Sequence, residues 1–180
     1  MGVKRVAVAW GFAEATLFFI VPDVWSSWSG RDKLRQGLAA CVFALVGALI
    51  GGYLSYEMGS VAPHGTLAAM QLLPAIDEPM IDAVRVSLAQ QGAAAVLLGP
   101  LSGTPYKLYA AQAAAAGIGP LAFLAISVPA RLLRFVVVTV GVHALWRVAV
   151  HAGAGERGAD RLLLAAWVIF YATFFAIMPG

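Results

Sequence analysis

The stretch from Gly92 to Gly117, GAAAVLLGPLSGTPYKLYAAQAAAAG, is apolar enough to enter a lipid bilayer and too interrupted to cross it as one helix. Pro100, Gly103 and Pro105 fall in its middle, and Lys107 follows them. Proline removes a backbone donor and clashes with the preceding turn, so a helical ladder cannot run through this point. Residues 92–117 therefore read as a re-entrant hairpin, entering the membrane and returning to the side it came from. A non-helical tip at that depth is tolerated only where protein or a water-filled cavity covers it.

Working outward, residues 119–146 are long and apolar but hold Pro129, Arg131 and Arg134. Residues 162–178, LLLAAWVIFYATFFAIM, carry no charge. Both read as transmembrane helices. On the other side, residues 57–91 are more polar. Met80, Val84 and Leu88 recur there at helical spacing, with Asp82 and Arg85 off that stripe, which predicts an amphipathic helix at the membrane surface. Residues 36–56 have no charge and form a third transmembrane helix. Gly47, Gly51 and Gly52 give it a small-residue face, suited either to packing within the monomer or to a homodimer.

The first apolar run, VAVAWGFAEATLFFIVP (Val6–Pro22), is at the short limit for a span of about 30 Å. It contains Glu14 and ends in Pro22-Asp23, and the following DVWSSWSGRDKLR is too short and polar to span. Residues 6–33 thus read as a second re-entrant hairpin. Lys4 and Arg5 before an apolar stretch resemble the start of a signal peptide. Glu14, Pro22 and Asp23 and the lack of a small-residue cleavage site place the segment in the mature chain instead.

Composition points the same way. Of the residues, 61% are hydrophobic and only 12% charged, against about 45–50% and about 25% in soluble domains. The expected fold is a single polytopic domain, residues 1–180: an all-α integral membrane protein with two inverted re-entrant hairpins, about three transmembrane helices and the surface helix. No basic tail or like-charge run supports nucleic-acid binding. One cysteine, Cys41, offers neither a disulfide nor metal-ligand spacing and reads as a small buried hydrophobe. Nothing in the sequence calls for a metal or cofactor.

If both hairpins return to their own side, Lys4, Arg5, Arg31, Lys33, Arg35, Arg147, Arg157 and Arg161 share one side. The other side holds Arg85 with Glu57, Asp77, Glu78 and Asp82. This asymmetry predicts a cytoplasmic N-terminus and an external C-terminus. Were the first hairpin to span, Arg31, Lys33 and Arg35 would move across and the bias would collapse. The order also forms an inverted repeat, hairpin then helix, twice. Paired proline-interrupted segments in two halves point to a transport site near the bilayer midplane.

Five charges fall inside the membrane segments: Glu14, Asp23, Lys107, Arg131 and Arg134. Charge in lipid is costly unless paired or hydrated. These residues form either a structural ion-pair network or a polar cavity for an anionic headgroup. In the second case Arg131 and Arg134, three apart on one helix face, are the phosphate contacts. Arg131, next to Pro129, is the stronger candidate of the two, and Glu14 is a candidate proton carrier. An enzyme reading is poor. Ser102 lacks a nucleophile-elbow pattern, and pairing it with His143 as an intramembrane protease would require the fold to join them. His64 and His151 fall in loops, and Trp10, Trp25, Trp28 and Trp146 read as interface anchors.

The segments FAEATLFFIVPDVW (12–25), GALIGGYLSYEMG (47–59), GPLSGTPYKLYAAQAAAAG (99–117) and ARLLRF (130–135), in that order, resemble the small bacterial branch of the DedA family, also called the VTT-domain or SNARE-associated membrane proteins. The turn IVPDVWSSWSG stands where that family usually has a proline-rich turn. The resemblance implies two facing re-entrant hairpins among membrane helices and residence in the bacterial cytoplasmic (inner) membrane. It also implies movement of a phosphate-bearing lipid between leaflets, undecaprenyl phosphate or a phospholipid, with or without proton coupling. By motif position, Glu14 and Asp23 match the acids of the first hairpin, Tyr106 and Lys107 the second hairpin's Pro-Tyr-Lys, and Arg131 and Arg134 the arginines after it. The expected partners are membrane lipids. The alternatives are a structural or membrane-homeostasis protein without transport, and a small-solute or ion transporter.

Overall fold

The computed structural model of the chain describes residues 2–17 and 20–177, apart from the side chain of Ser102. All regular structure among the described residues is helical: α1 (Gly2–Thr16), α2 (Asp23–Gly30), α3 (Leu34–Val61), α4 (Pro63–Gln71), α5 (Glu78–Gln91), α6 (Ala93–Leu98), α7 (Tyr106–Ala113), α8 (Pro120–Ala149) and α9 (Gly155–Ile177). A 3₁₀ turn, Gly99–Ser102, follows α6, and a π-helical turn, Val150–Ala154, joins α8 to α9. Two helical stretches are long and apolar enough to cross a membrane: Leu34–Val61 and the combined Pro120–Ile177.

α3 is the axis. Its 28 residues extend about 42 Å. α1 runs beside it in the same direction: Ala7 clusters with Ala40, Cys41 and Ala44, Phe12 abuts Gly51, and Ser55 Oγ donates to the Ala15 carbonyl at 2.9 Å. The small residues set the spacing. A Cβ at Gly47 would run into the Val8 carbonyl, and one at Gly51 would lie 2.7 Å from the Phe12 oxygen. Gly52 faces the Tyr106 ring. The glycine face seen in the sequence is thus used up inside the chain.

α2 turns back. Trp25 Nε1 donates to the Val3 carbonyl (3.2 Å), Trp25 stacks on Trp10 with centroids 6.3 Å apart, and Gly30 packs on Gly37. The N-terminus of α1, the C-terminus of α2 and the start of α3 therefore share one end of the bundle, the near end. Three of the four tryptophans expected as interface anchors also hydrogen-bond within the bundle: besides Trp25, Trp10 Nε1 holds the Ile20 carbonyl (2.7 Å), and Trp146 Nε1 holds Asp160 (2.9 Å).

The second half repeats this from the far end. α6 goes in and α7 comes back, with Tyr106 against Gly52 and Ala111 against Gly59. Gly103, in the left-handed region at φ 97°, makes the turn between them, a conformation glycine adopts without steric cost. Tyr56 Oη donates to the Ile118 carbonyl (2.9 Å), fixing where α7 gives way to α8. α8 then runs antiparallel to α3. Phe123 stacks on Tyr56 at 5.4 Å, Phe135 joins the Ala40–Ala44 cluster, and His143 Nδ1 reaches the Gly30 carbonyl at 3.0 Å. Pro129 lies inside α8 without ending it.

Between the halves, α4 and α5 cap the far end. α4 was not expected; Pro63 starts it at a first-turn position, where the missing N–H costs nothing. α5 is capped by Asp77, whose carboxylate accepts the Met80 N–H at 2.9 Å. The amphipathic stripe is present, with Met80 half-buried, Val84 and Leu88 buried, and Ile81 added. It packs on the protein core. α9 starts at Gly155, just past Gly153, the two glycines lying at φ 65° and 97°, and runs back along α2. Arg31 Nε meets Asp160 at 2.7 Å, Trp167 Nε1 donates to Ser27 Oγ at 3.2 Å, and Tyr171 Oη accepts the Val21 N–H at 2.9 Å. The last expected residue of this segment, Met178, lies outside the described residues.

Candidate functional site

The two helix–turn–helix pairs point their tips at one another beside the middle of α8, and the expected charges meet there. Glu14, near the end of α1, is ion-paired with Arg131. Asp23, first residue of α2, accepts from Arg134, Oδ2 to Nε 3.0 Å. Arginines one turn apart on α8 thus bind one acid from each arm of the first pair. Lys107 is 1% exposed and lies within electrostatic reach of Glu14 and Arg131.

Aromatic rings organise the site. The Arg131 guanidinium lies between the Tyr106 and Phe135 rings, 4.8 Å from each centroid, a stacking geometry suited to its flat, weakly hydrated charge. Tyr106 Oη donates to Ser127 Oγ at 2.7 Å, and its ring stacks on Phe123 at 5.9 Å. Arg131 itself is 0% exposed. Among the described residues its Nε and Nη1, and Asp23 Oδ1, have no hydrogen-bond partner. Such orphaned polar atoms are rare inside proteins and mark a functional or strained position.

A cleft of about 740 Å³ opens on this cluster. Glu14, Tyr106 and Lys107 form its floor, nearly buried, and Arg134 stands at its side. The Arg134 side chain is 23% exposed and also reaches the Pro100 carbonyl at 3.4 Å. Arg131 and Asp23 do not line the cleft. Of the two arginines, Arg134 is therefore the one a ligand can touch, and Arg131 is sealed behind it. The cleft's other wall is apolar: Leu133 and Val137 of α8, Phe170 and Phe174 of α9.

All six residues singled out in the sequence, Glu14, Asp23, Tyr106, Lys107, Arg131 and Arg134, come together here. The α9 wall was missed. Tyr171, the one hydroxyl-bearing aromatic of an uncharged segment, was the available signal. Also missed was a buried polar seam linking α2, α3 and α8: Cys41 Sγ to Thr139 Oγ1 at 3.2 Å and Thr139 Oγ1 to Ser26 Oγ at 3.0 Å. Cys41 is buried, as expected.

His143 binds the Gly30 and Arg31 carbonyls at the near end, twelve positions beyond Arg131 and so about 18 Å along α8. Ser102 belongs to the tip between α6 and α7. The Ser102 side chain lies outside what the structure describes. Among the described residues no group of His, Cys, Asp and Glu is placed to hold a metal ion. No family model, curated protein or solved structure matches the chain.

Proposed function

We propose that the protein is an integral membrane lipid transporter of the DedA type, moving a phosphate-bearing lipid between leaflets of the bacterial cytoplasmic membrane. In this reading α1–α2 and α6–α7 are re-entrant hairpins entering from opposite faces, and α3, α8 and α9 span. The near end, rich in Lys and Arg, faces the cytoplasm.

The observation that carries the proposal is the two-sided cleft. Arg134 and Lys107 supply cationic donors on one side, and Leu133, Val137, Phe170 and Phe174 supply an apolar wall on the other. Leu133, Val137 and Phe170 are more than half exposed, so the wall continues onto the outer apolar flank of the bundle. A cavity that opens on such a flank receives a ligand from the bilayer. A charged headgroup can rest on Arg134 while its chain stays among apolar side chains.

A purely structural role predicts a closed, dry interior, which a 740 Å³ cleft disfavours. A solute carrier predicts a polar mouth, which the exposed Leu133, Val137 and Phe170 disfavour. The test is leaflet exchange of a fluorescent phospholipid, and then of undecaprenyl phosphate, in liposomes containing the purified protein, with Arg134→Ala and Glu14→Gln alongside. Exchange above empty liposomes that Arg134→Ala removes supports the reading. Absence of exchange for every lipid tried, with folded protein and with or without a pH gradient, overturns it.

A further inference from the structure

The charges of the centre do not cancel. Glu14 and Asp23 are ion-paired with Arg131 and Arg134. Lys107 brings a third cation within electrostatic reach of Glu14 and Arg131. Three bases face two carboxylates, which leaves a surplus of one positive charge. The count is the same on the cleft surface alone. There Lys107 and Arg134 stand against Glu14, and every other lining residue is uncharged.

Water does little to screen that surplus. Lys107 is 1% and Glu14 5% exposed, and the facing wall is apolar. In such surroundings an unbalanced charge is costly. A ligand that balances it is favoured, and one that overshoots is penalised.

Glu14 is placed where an overshoot is felt. It shares the cleft floor with Lys107, and its partner Arg131 is fully buried and does not line the cleft. An anion drawn to Lys107 and Arg134 therefore enters a cleft that already holds a carboxylate.

We infer that the cleft selects a singly charged phosphodiester headgroup over a phosphate monoester, with Glu14 turning away the second negative charge. The inference rests on the lipid-carrying reading above for the source of the ligand, and narrows it. A phosphodiester carries one negative charge at neutral pH and matches the surplus. A monoester carries about −1.5 to −2 and exceeds it. A choline-bearing diester brings a fixed cation of its own, so its net charge leaves the surplus standing. Tyr171, from the α9 wall, offers a hydroxyl that donates without adding charge.

The test is native mass spectrometry of the full-length protein at neutral pH. The protein is equilibrated with an equal mixture of phosphatidylglycerol, phosphatidic acid and phosphatidylcholine bearing identical acyl chains. Retained phosphatidylglycerol should exceed each of the others about tenfold. The basic near end favours the more highly charged phosphatidic acid, so a preference for the lower charge comes from the cleft. Glu14→Gln raises the surplus to two and should move the preference to phosphatidic acid. Arg134→Gln lowers it to zero and should bring phosphatidylcholine level with phosphatidylglycerol. Where a variant fails to fold, the wild-type ranking decides. Displacement of the lipid by an equal concentration of soluble glycerophosphoglycerol keeps the charge selection and assigns the diester to a free solute. Phosphatidic acid retained as well as phosphatidylglycerol by the wild type, or a ranking that neither folded variant moves, overturns the inference. Leaflet exchange is read separately. Exchange without this ranking sinks the charge selection and leaves transport standing, and the ranking without exchange of any lipid does the reverse.

Discussion

Asp23 gives one carboxylate oxygen to Arg134, 3.0 Å away, and keeps the other, Oδ1, buried without a hydrogen-bond partner among the described residues. The pair is the bolt between α2 and α8. Removing one member of a buried pair leaves the other charge uncompensated, at a cost of about 3 kcal/mol or more, whereas removing both is far milder. Arg134→Ala should therefore lower the melting temperature markedly, and adding Asp23→Asn should recover more than half of the loss. Additive losses in thermal melts of the purified protein would show that the two do not act as a pair.

Arg131 is held by shape as well as charge. Lysine keeps the charge but cannot stack flat between Tyr106 and Phe135. Arg131→Lys should cost about 1–2 kcal/mol, seen as a lower melting temperature. A melting temperature equal to wild type would remove the stacking argument.

The glycines of α3 differ in kind from the surface ones. At Gly47 and Gly59 an added Cβ meets backbone atoms of Val8 and Ala111, which cannot turn aside. Gly47→Ala and Gly59→Ala should each destabilise by about 1–3 kcal/mol. Gly65, helical in α4 with nothing within 4 Å of an added Cβ, should gain about 0.5–1 kcal/mol as alanine. Parallel melts of the three variants decide it.

Tyr171 accepts the Val21 N–H at the tip of the first pair and also lines the cleft. Tyr171→Phe leaves that amide unpaired, at about 1 kcal/mol or more. Amide hydrogen exchange at Val21 should accelerate about fivefold or more as the tip loosens. Unchanged exchange would mean that α9 does not hold the tip.

Orientation is checked by labelling. Ser87→Cys, on α5, should react with an impermeant maleimide added outside intact cells, and Lys33→Cys only after the cells are opened. Cys41 is fully buried and stays silent as background. The opposite pattern would invert the proposed topology.

Much of this architecture is legible in the sequence because charges inside apolar runs are costly and must find each other. Glu14, Asp23, Lys107, Arg131 and Arg134 could be gathered into one site on that ground alone. Prolines 22, 100 and 105 likewise marked the turns. The sequence could not say which arginine faces the cleft. Pro129 drew the choice to Arg131, but α8 is turned so that Arg131 meets Glu14 and Tyr106 while Phe135 packs with Ala40 and Ala44, which leaves Arg134 on the cleft. The wall from α9 was hidden for a related reason. Phe170 and Phe174 look alike whether they face lipid, a neighbour or a ligand. α4 was missed because HGTLAAMQ is too short and mixed for its period to be read.

The break at Gly153 and Gly155 has a consequence for how the protein is made. Every charged residue of the site, and both arginine–carboxylate pairs, lie on the N-terminal side of it. The ribosome therefore delivers a chain that can close its charges against one another before the last helix emerges. α9 arrives afterwards as a separately hinged panel, latching onto Arg31, Ser27 and Val21 of a pre-formed centre. The order of the chain thus lets the charges be neutralised first and enclosed second, without waiting for the C-terminus.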